Sequence, residues 1–282
     1  MKIASFAVAN GESYGVVTDV GVIDIGHKLK SRLPTLRAAI AENSLAEIAQ
    51  LSKGCSADFR LDEVKWLPPI PNPDKIICIG LNYKAHAAES GAKVPEKPSL
   101  FIRLTNTLVP HQGAMIRPKL SSDMDFEGEL AVVIGKGGRH VGKADAFKHV
   151  AGYACFNDGS VRDFQSKHSL AVGKNFFATG GFGPWIVTTD EIPDPSRLTL
   201  RTRLNGTGVQ HGTTDDLIFS VPWIVSYISD FTELVPGDVI VTGTPQGVGF
   251  ARKPPLWMKP GDVVEVDISG IGTLRNRIVD ER

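Results

Sequence analysis

The acidic segment Asp125–Gly135 is the part of this sequence whose residue types and spacing indicate chemistry. It places Glu127 and Glu129 two positions apart, at the start of an apolar run that is typical of a buried strand. Alternate residues of a strand face the same side, so the two carboxylates should project together. Such a pair repels itself unless a cation lies between the charges. Because oxygen ligands suit hard divalent cations, the pair predicts a Mg²⁺ or Mn²⁺ site, although an exposed acidic edge would give the same pattern.

Three later segments could complete such a site. Asp158 follows the apolar run Ala151–Phe156 and could be a third carboxylate, although Asn-Asp-Gly is also a common turn signal. Lys174 lies among apolar residues, where a cation could neutralise carboxylate charge or hold an anionic substrate, although most lone lysines are solvated. The closely spaced glycines of Val241–Gly249 would let a ligand approach the backbone. This loop matches neither a P-loop nor a dinucleotide-binding motif, so it does not indicate nucleotide binding.

His86 and Glu89 are candidates for acid–base chemistry. They lie three positions apart in a short predicted helix from Leu81 to Glu89, which Ser90-Gly91 should end, so they are neighbours on one helical face. A carboxylate beside an imidazole raises its basicity and fixes its tautomer, as a general base requires. An ordinary surface pair on a short helix would have the same spacing.

The elements that must position these residues are mostly strands. The 282 residues include 29 glycines and 18 prolines, and the apolar segments are short, which favours strands joined by turns. Residues 1–70 predict a small N-terminal unit with short strands followed by helical segments. The stiff, proline-rich stretch Leu67–Asp74 is the predicted junction with a main domain over residues 71–282.

Within the main domain, the apolar segments predict a series of strands and one long helix. The helix has apolar residues at helical spacing over Leu217–Phe231. The predicted strands are Lys75–Gly80, Leu130–Ile134, Pro184–Thr188, Leu198–Leu204, Asp238–Thr242 and Val263–Ile268.

Charge and cysteine content argue against several other classes of protein. The 31 basic and 31 acidic residues are interspersed without a basic stripe, so nucleic acid and anionic membrane are not expected partners. No apolar run approaches the length of a membrane span, and the N-terminus is not typical of a signal peptide. Three widely separated cysteines indicate neither a disulfide framework nor a zinc site, so we expect a cytoplasmic protein.

Taken in order, these motifs resemble the fumarylacetoacetate hydrolase family over about residues 70–282. The resemblance implies an α+β, strand-rich main domain with a mixed β-roll, preceded by a small N-terminal α+β domain. The segments that carry it are Ile79–Tyr83, Asp125–Gly135, Asn157–Gln165, Gly173–Phe176, Gly183–Trp185, Thr242–Gly249 and Lys259–Asp262.

The resemblance also implies roles for individual residues. The family's metal motif falls on Glu127, Glu129 and Asp158, and its active-site lysine falls on Lys174. Members with the His86–Glu89 pattern use that helix as a lid whose dyad activates water. The expected ion is Mg²⁺ or Mn²⁺, with Ca²⁺ as a possible substitute.

Substrate contacts are expected from four further residues. Thr244 falls where the family's Thr-Gly-Thr-Pro loop touches a substrate carboxylate, and Gly243 belongs to the same loop. Gln165 matches a glutamine that some members place over the substrate, and Arg162 lies in the same polar segment.

The implied reaction is metal-dependent hydrolysis of a carbon–carbon bond in an acylpyruvate or related β-diketo acid, in aromatic or sugar catabolism. His86 would take a proton from water, and Lys174 would stabilise the developing negative charge. The same site could instead serve a decarboxylase, or an isomerase or tautomerase, acting on a chelated 2-oxo acid of the oxaloacetate or 2-hydroxy-dienoate type. The alternative to an enzyme is a non-catalytic binding or structural protein that retains a relic of the site. The expected partners are a small 2-oxo or diketo acid and a second copy of the chain in a homodimer.

The chain departs from the family pattern at three places near the expected pocket. Gly159 follows the ligand aspartate where an apolar residue is frequent, and Asn175 follows the lysine where serine is common. Gly180–Phe182 replaces a Cys-Pro-Leu-like stretch. These departures bear on substrate identity rather than on metal binding.

Overall fold

The fold is seen in a computed structural model that describes residues 1–89 and 91–282. Strands β1 to β18 of these residues are, in chain order, Lys2–Val8, Gly11–Val17, Val22–Asp24, Lys65–Trp66, Ile76–Gly80, Ser99–Arg103, Leu108–Pro110, Ala114–Arg117, Met124–Asp125, Gly128–Ile134, Val150–Asp158, Ser160–Val161, Gly180–Thr188, Thr199–Leu204, Thr207–Thr213, Val239–Val241, Val263–Ile268 and Gly272–Asp280. Helices α1 to α7 are Gly26–Leu29, Leu36–Ala41, Leu45–Ser52, Lys84–Glu89, Arg162–Lys167, Leu170–Lys174 and Val221–Phe231. Short 3₁₀ turns are Thr105–Thr107, Lys143–His149, Thr214–Asp216 and Gly249–Ala251.

A large mixed sheet forms the body of the molecule. Its strand order is β3-β2-β1-β13-β11-β10-β16-β5-β6, with β4 paired to β1 and β7 paired to β13. Most neighbours are antiparallel, but β5 runs parallel to β16 and β7 parallel to β13. A second sheet has the order β15-β14-β17-β18-β8, and β9 and β12 form a two-stranded ribbon. The predicted strand-rich α+β class is confirmed.

The large sheet is rolled rather than flat. Four strand spacings separate β11 from the edge strand β6, which would be about 19 Å in a flat sheet. Nevertheless, Arg103 on β6 places its Nη1 2.5 Å from Asp158 Oδ1 on β11. The side chain of one arginine cannot cross a flat sheet of that width, so the curvature brings the edge strand over the middle of the sheet.

Strand β10 is buried on both faces, which explains its continuous apolar sequence. Leu130 and Val132 point into a cluster with Leu200 and Val266 of the second sheet. Ala131 and Val133 face the opposite cluster, which includes residues of β1 and of helices α2 and α3. The strand that begins at the acidic pair is therefore held rigidly in the middle layer.

The N-terminal segment joins this sheet directly. Strand β1 pairs with β13, with Ile3 opposite Ile186, and Ile3 shares a buried cluster with Phe156 of β11. Residues on both sides of position 70 therefore contribute to one sheet and one core. The boundary at residue 70 stays a prediction about how the chain is divided.

Two predicted helices begin later than expected. The helix predicted from Leu217 starts at Val221, because Leu217 forms a β-bridge with Tyr83 and Pro222 occupies the first helical turn. The helix predicted from Leu81 starts at Lys84 for the same reason, since Tyr83 is the partner in that bridge. Its predicted end at Ser90 lies outside the described residues. None of the helices in the described ranges is long and apolar enough to cross a membrane.

The shared core predicts that the chain unfolds as one unit. Ile3→Ala should lower the free energy of unfolding by about 2–5 kcal/mol, because it removes buried methyl groups from a cluster that spans the sheet. Urea denaturation followed by tryptophan fluorescence and far-UV circular dichroism should give one transition, shifted to lower urea. Val20→Ala, at a position 75% exposed, should leave the midpoint unchanged. A separate early transition that leaves the rest of the chain at its wild-type midpoint would contradict this expectation.

Candidate functional site

Three carboxylates converge where β10 begins and β11 ends. The two strands are antiparallel neighbours, so the start of one lies beside the end of the other. Glu127 lies one residue before β10, Glu129 is its second residue, and Asp158 is the last residue of β11. The Asp158 N–H donates to Glu127 O at 2.8 Å. All three side chains are buried, and one carboxylate oxygen from each lies within 4.8 Å of the others. The structure thus brings the predicted metal ligands together.

Lys174 reaches the same point from helix α6. Its Nζ lies 2.6 Å from Glu127 Oε2 and 2.5 Å from Asp158 Oδ2. The helix is held at its start by the Ser169 hydroxyl, which accepts the Val172 N–H. Position 173 needs glycine, because a Cβ there would lie 2.5 Å from the Cβ of Gln165 on α5. The local sequence therefore places the ammonium group between two of the carboxylates.

Arg162 closes the other side of the cluster. Its Nη2 donates to Glu127 Oε1 at 2.5 Å, and its Nε donates to Asp125 Oδ2 at 2.8 Å. Asp125 also accepts the backbone N–H groups of Gly249 at 2.7 Å and of Phe250 at 3.1 Å. The ring of Phe250 covers the guanidinium at 4.5 Å. Arg162 is thus committed to protein carboxylates, while its Nη1 reaches the neighbouring Gln165 at 3.0 Å.

The buried charges shift one another's pKa values. Burial acts to raise the pKa of Glu127, but the charges of Lys174 and Arg162 outweigh it and lower the pKa to about 2. Burial acts to lower the pKa of Lys174, yet Asp158 and Glu127 raise it above its ordinary value. Burial and then the charges of Asp158 and Glu127 raise the pKa of Glu129 well above its ordinary value. Lys174 is therefore a fixed cation rather than a base.

The charges in this cluster do not balance. When all of them are ionised, Asp125, Glu127, Glu129 and Asp158 exceed the cations Arg103, Arg162 and Lys174 by one negative charge in the described part of the chain, in line with the raised pKa of Glu129. Glu129 makes no ion pair with any described residue and accepts instead the backbone N–H of Gly243. A buried carboxylate without a cation is costly, so this arrangement favours binding of a further positive charge.

The glycine loop after β16 supports Glu129. Gly243 adopts φ +102°, which points its N–H at Glu129, and a Cβ there would lie 2.7 Å from the Cβ of Asn82. The Thr244 hydroxyl donates to Gly128 O at 2.9 Å and accepts from Gln210 Nε2 at 2.9 Å. Thr244 lines the cavity, whereas Gly243 acts through Glu129.

Helix α4 brings His86 to the cavity. His86 Nδ1 lies 3.2 Å from Glu89 Oε2, and the Glu89 carboxylate also accepts the Gly247 N–H at 2.9 Å. Asn82 anchors the start of the helix, because its side chain bonds the backbone of Phe219 and, at 2.7 Å, the carbonyl of Thr242. With Nδ1 directed at a carboxylate, Nε2 is the ring nitrogen left to face a substrate.

These groups surround one cavity of about 340 Å³. Glu89 and Gly243 do not line the cavity but contact His86 and Glu129, which do. The other predicted site residues line the cavity directly. The lining residues are Ile79, Gly80, Leu81, His86, Ser99, Phe101, Glu127, Glu129, Asp158, Arg162, Gln165, Leu170, Lys174, Thr244 and Phe250. A larger cavity of about 850 Å³ between helices α2 and α3 and the sheet is lined by none of the predicted site residues. The smaller cavity is the candidate active site because the charged groups converge on it.

Four residues that organise the site were not predicted from the sequence. Arg103, Asp125, Asn82 and Gln210 are buried and bond to ligands or to the loops that carry them. Two of them could have been suspected from the sequence, since Asp125 adjoins the acidic pair and Arg103 interrupts an apolar run. Asn82 lies in the segment Ile79–Tyr83 that carries the family resemblance, but its partners Phe219 and Thr242 are 137 and 160 positions away. Gln210 gave no local signal, since it bonds Gly128, Thr244 and Pro245 at separations of 82, 34 and 35 positions.

The departures from the family pattern have structural causes. A Cβ at Gly159 would lie 2.2 Å from Thr179 O, and one at Gly180 would lie 2.9 Å from Arg103 Nη2. Asn175 bonds to the edge strand, accepting the Leu104 N–H at 2.7 Å. These residues shape the walls behind Asp158 and Lys174.

The donor set fits a divalent cation. Three carboxylates supply hard oxygen ligands, and the excess negative charge and the mutual approach of their oxygens match what Mg²⁺ or Mn²⁺ requires. Glu127, Glu129 and Asp158 are the residues that would hold such an ion.

Comparisons with known proteins give the family of the chain. Residues 75–279 match the family described as fumarylacetoacetate (FAA) hydrolase C-terminal. The chain is 36% identical over 265 residues to human oxaloacetate tautomerase FAHD2A, mitochondrial, covering 92% of this chain and 84% of that protein. It is 43% identical over 226 residues to oxaloacetate tautomerase YisK of Bacillus subtilis, covering 78% and 75%.

A solved structure gives the same fold with a metal. Maleylpyruvate hydrolase from Sphingobium sp. SYK-6, in complex with a manganese(II) ion and pyruvate, is 27% identical. The two structures superpose with a TM-score of 0.83, over 100% of both chains.

Glu129→Gln tests the metal site and its charge balance together. Mn²⁺ affinity measured by calorimetry should fall by at least about 100-fold, the upper end of what loss of an outer partner costs. Because burial and the neighbouring carboxylates raise the pKa of Glu129 and so disfavour its ionised form, a neutral amide there should not lower the melting temperature in EDTA. Glu233→Gln, at an exposed carboxylate, should change neither value. Wild-type Mn²⁺ affinity in Glu129→Gln would exclude this residue as a ligand.

Proposed function

Since the chain belongs to the fumarylacetoacetate hydrolase family, we propose that it catalyses keto–enol tautomerisation of a small 2-oxo dicarboxylic acid of the oxaloacetate type, with a divalent cation. The observation that carries the proposal is the convergence of Glu127, Glu129 and Asp158 at one cavity beside Lys174 and His86. The names of the tautomerase relatives support the oxaloacetate type over the acylpyruvate first expected from the sequence. A volume of about 340 Å³ suits a small acid.

Charge explains why the substrate would be an anion. The cluster alone has one excess negative charge and would repel a carboxylate, because the cations Arg103, Arg162 and Lys174 are already paired. A divalent cation, preferably Mg²⁺ or Mn²⁺, would reverse the excess charge, chelate the 2-oxo acid and polarise its carbonyl. Lys174 would then offer a fixed ammonium group to negative charge that develops on the substrate oxygen.

Tautomerisation needs only proton transfers, and His86, which lines the cavity, is the proposed acceptor in one of them. Carbon 3 of the keto acid loses a proton to Nε2, and the oxygen on carbon 2 gains a proton, so no further reactant is consumed. Glu89 would hold the ring in the tautomer whose Nε2 accepts a proton. Thr244 and Gln165, which line the cavity, are the proposed contacts to the rest of the substrate, with Arg162 holding Gln165 and Gly243 acting through Glu129.

Hydrolysis of a carbon–carbon bond in an acylpyruvate is the second candidate. It is favoured by the same dyad, because His86 could take its proton from water instead of from carbon. The likeness to a maleylpyruvate hydrolase also supports it. Both reactions would use the same ion site. They differ in whether a substrate carbon or a water molecule lies next to His86 Nε2.

We also propose that the protein is a cytoplasmic homodimer. The zero formal charge of the chain offers no long-range repulsion between two copies, which supports a dimer. The three cysteines of the chain are free, with Cys78 and Cys155 buried, which supports a reducing compartment such as the cytoplasm. Light scattering at micromolar concentration should give twice the mass of the 30.4 kDa chain. The mass of a single chain would contradict the dimer.

A substrate panel distinguishes the two reactions. With Mg²⁺, the wild-type protein should accelerate oxaloacetate keto–enol exchange, monitored by enol absorbance, with a higher kcat/KM than for cleavage of an acylpyruvate or conversion of a hydroxy-dienoate. EDTA should abolish the activity. Faster acylpyruvate cleavage would replace the proposal with the second candidate, and no metal-dependent turnover of any of the three would contradict both.

His86→Ala locates the base. Tautomerisation or hydrolysis should slow by roughly 10²–10⁴, the usual worth of general-base catalysis, while Mn²⁺ affinity stays at the wild-type value. His27→Ala, at an exposed histidine, is the matched control and should be fully active. If the reaction were decarboxylation, His86→Ala would be mild while Glu129→Ala stayed severe. Unchanged tautomerisation in His86→Ala would exclude the dyad as the proton acceptor.

A further inference from the structure

Arg103 is a buried arginine that bonds behind a metal ligand. Its side chain has no exposed surface, and its Nη1 donates to Asp158 Oδ1 at 2.5 Å and to Gly159 O at 3.2 Å. Nη2 donates to Thr179 Oγ1 at 2.9 Å, and Nε donates to Thr107 Oγ1 at 3.2 Å. The guanidinium is therefore fixed on all sides by the protein.

The surrounding backbone leaves room for this guanidinium only because residue 180 lacks a side chain. A Cβ at Gly180 would lie 2.9 Å from Nη2, 3.0 Å from Nε and 3.1 Å from Cζ of Arg103. Gly180 lies opposite Asp158 in the pairing of β13 with β11. The strand that flanks the ligand thus accommodates the arginine.

We infer that Arg103 is a positioning residue that makes Asp158 a ligand through one oxygen. Arg103 occupies Oδ1, so Oδ2 alone is directed at the centre of the cluster, where Lys174 now contacts it at 2.5 Å. The inference rests on the metal site of the proposed function and not on which reaction that site performs.

Cation preference follows from this arrangement. A carboxylate limited to one oxygen suits the octahedral shell of Mg²⁺ or Mn²⁺, whereas Ca²⁺ accepts carboxylates through both oxygens in a larger shell. By blocking Oδ1, Arg103 disfavours the larger ion. Arg103 therefore contributes to cation selection without being a ligand.

Arg103→Met tests this inference, because the loss of the Arg103 charge and the loss of its hold on Asp158 should change cation affinity in opposite directions. Removing a buried cation should by charge alone tighten binding of another cation. Loss of the position of Asp158 should instead weaken Mn²⁺ binding by about 10–100-fold, the usual cost of losing an outer partner. Calorimetry with Mn²⁺ alone and with Ca²⁺ alone, on the full chain without substrate, measures both affinities. We expect the ratio of Mn²⁺ to Ca²⁺ affinity to fall by about tenfold or more.

Companion variants separate positioning from folding. Thr179→Val removes one anchor of the guanidinium and Gly180→Ala displaces it, so both should lower the same ratio even if Arg103→Met folds poorly. Arg103→Lys keeps the positive charge but lacks the planar guanidinium, so it should preserve only part of the wild-type ratio of Mn²⁺ to Ca²⁺ affinity. Gly208→Ala, where a Cβ meets nothing within 4 Å, should leave it unchanged.

Mn²⁺ binding that is unchanged or tighter in folded Arg103→Met, or an equal loss of both ions in all the variants, would overturn the inference. A wild-type protein that binds neither ion would overturn it together with the metal site. Failure of oxaloacetate turnover with normal ion binding would affect the proposed reaction alone.

Discussion

An unbalanced set of buried charges is the constraint around which this structure is arranged. In the described part of the chain, four carboxylates and three cations meet where β10 begins and β11 ends. Breaking one buried ion pair typically costs about 3–5 kcal/mol, because the remaining charge loses its partner. The rolled sheet, the two short helices α5 and α6, and the glycine loop after β16 each deliver a group that this cluster needs. The same groups that stabilise the cluster leave one negative charge for a cation to neutralise.

The proposed reaction follows from how that charge is arranged. Lys174 and Arg162 are held as fixed cations by their carboxylate partners, so neither is suited to take a proton. His86 stands apart on helix α4 with its own carboxylate, Glu89, and is the proposed base of the cavity. Chelation and proton transfer are thus assigned to different elements of the fold. With the proposed mechanism, this division would let one scaffold support either tautomerisation or hydrolysis, since only the atom that meets His86 would have to change.

The sequence was most informative where chemistry is local. The spacing of Glu127 and Glu129, the apolar run that follows them and the one before Asp158 predicted the strands that carry these carboxylates, and the family resemblance then singled out the three as expected metal ligands. Arg103 could not be predicted, because only the rolling of the sheet brings it to Asp158, 55 positions away. The start of α7 was misplaced for a similar reason, since apolar periodicity continues through Leu217 although a long-range bridge holds that residue extended. Local patterns therefore identified the groups, while tertiary pairing decided which of them touch.

A diffraction experiment at the manganese absorption edge, on crystals grown with Mn²⁺, would show whether the excess buried charge binds a cation. We expect one anomalous peak, roughly 2.0–2.3 Å from an oxygen of each of Glu127, Glu129 and Asp158. The peak should lie on the Oδ2 side of Asp158, opposite the Arg103 guanidinium. A peak elsewhere in the protein, or no peak while Lys174 keeps its contacts to Glu127 and Asp158, would contradict the claim that the unbalanced charge is a cation site.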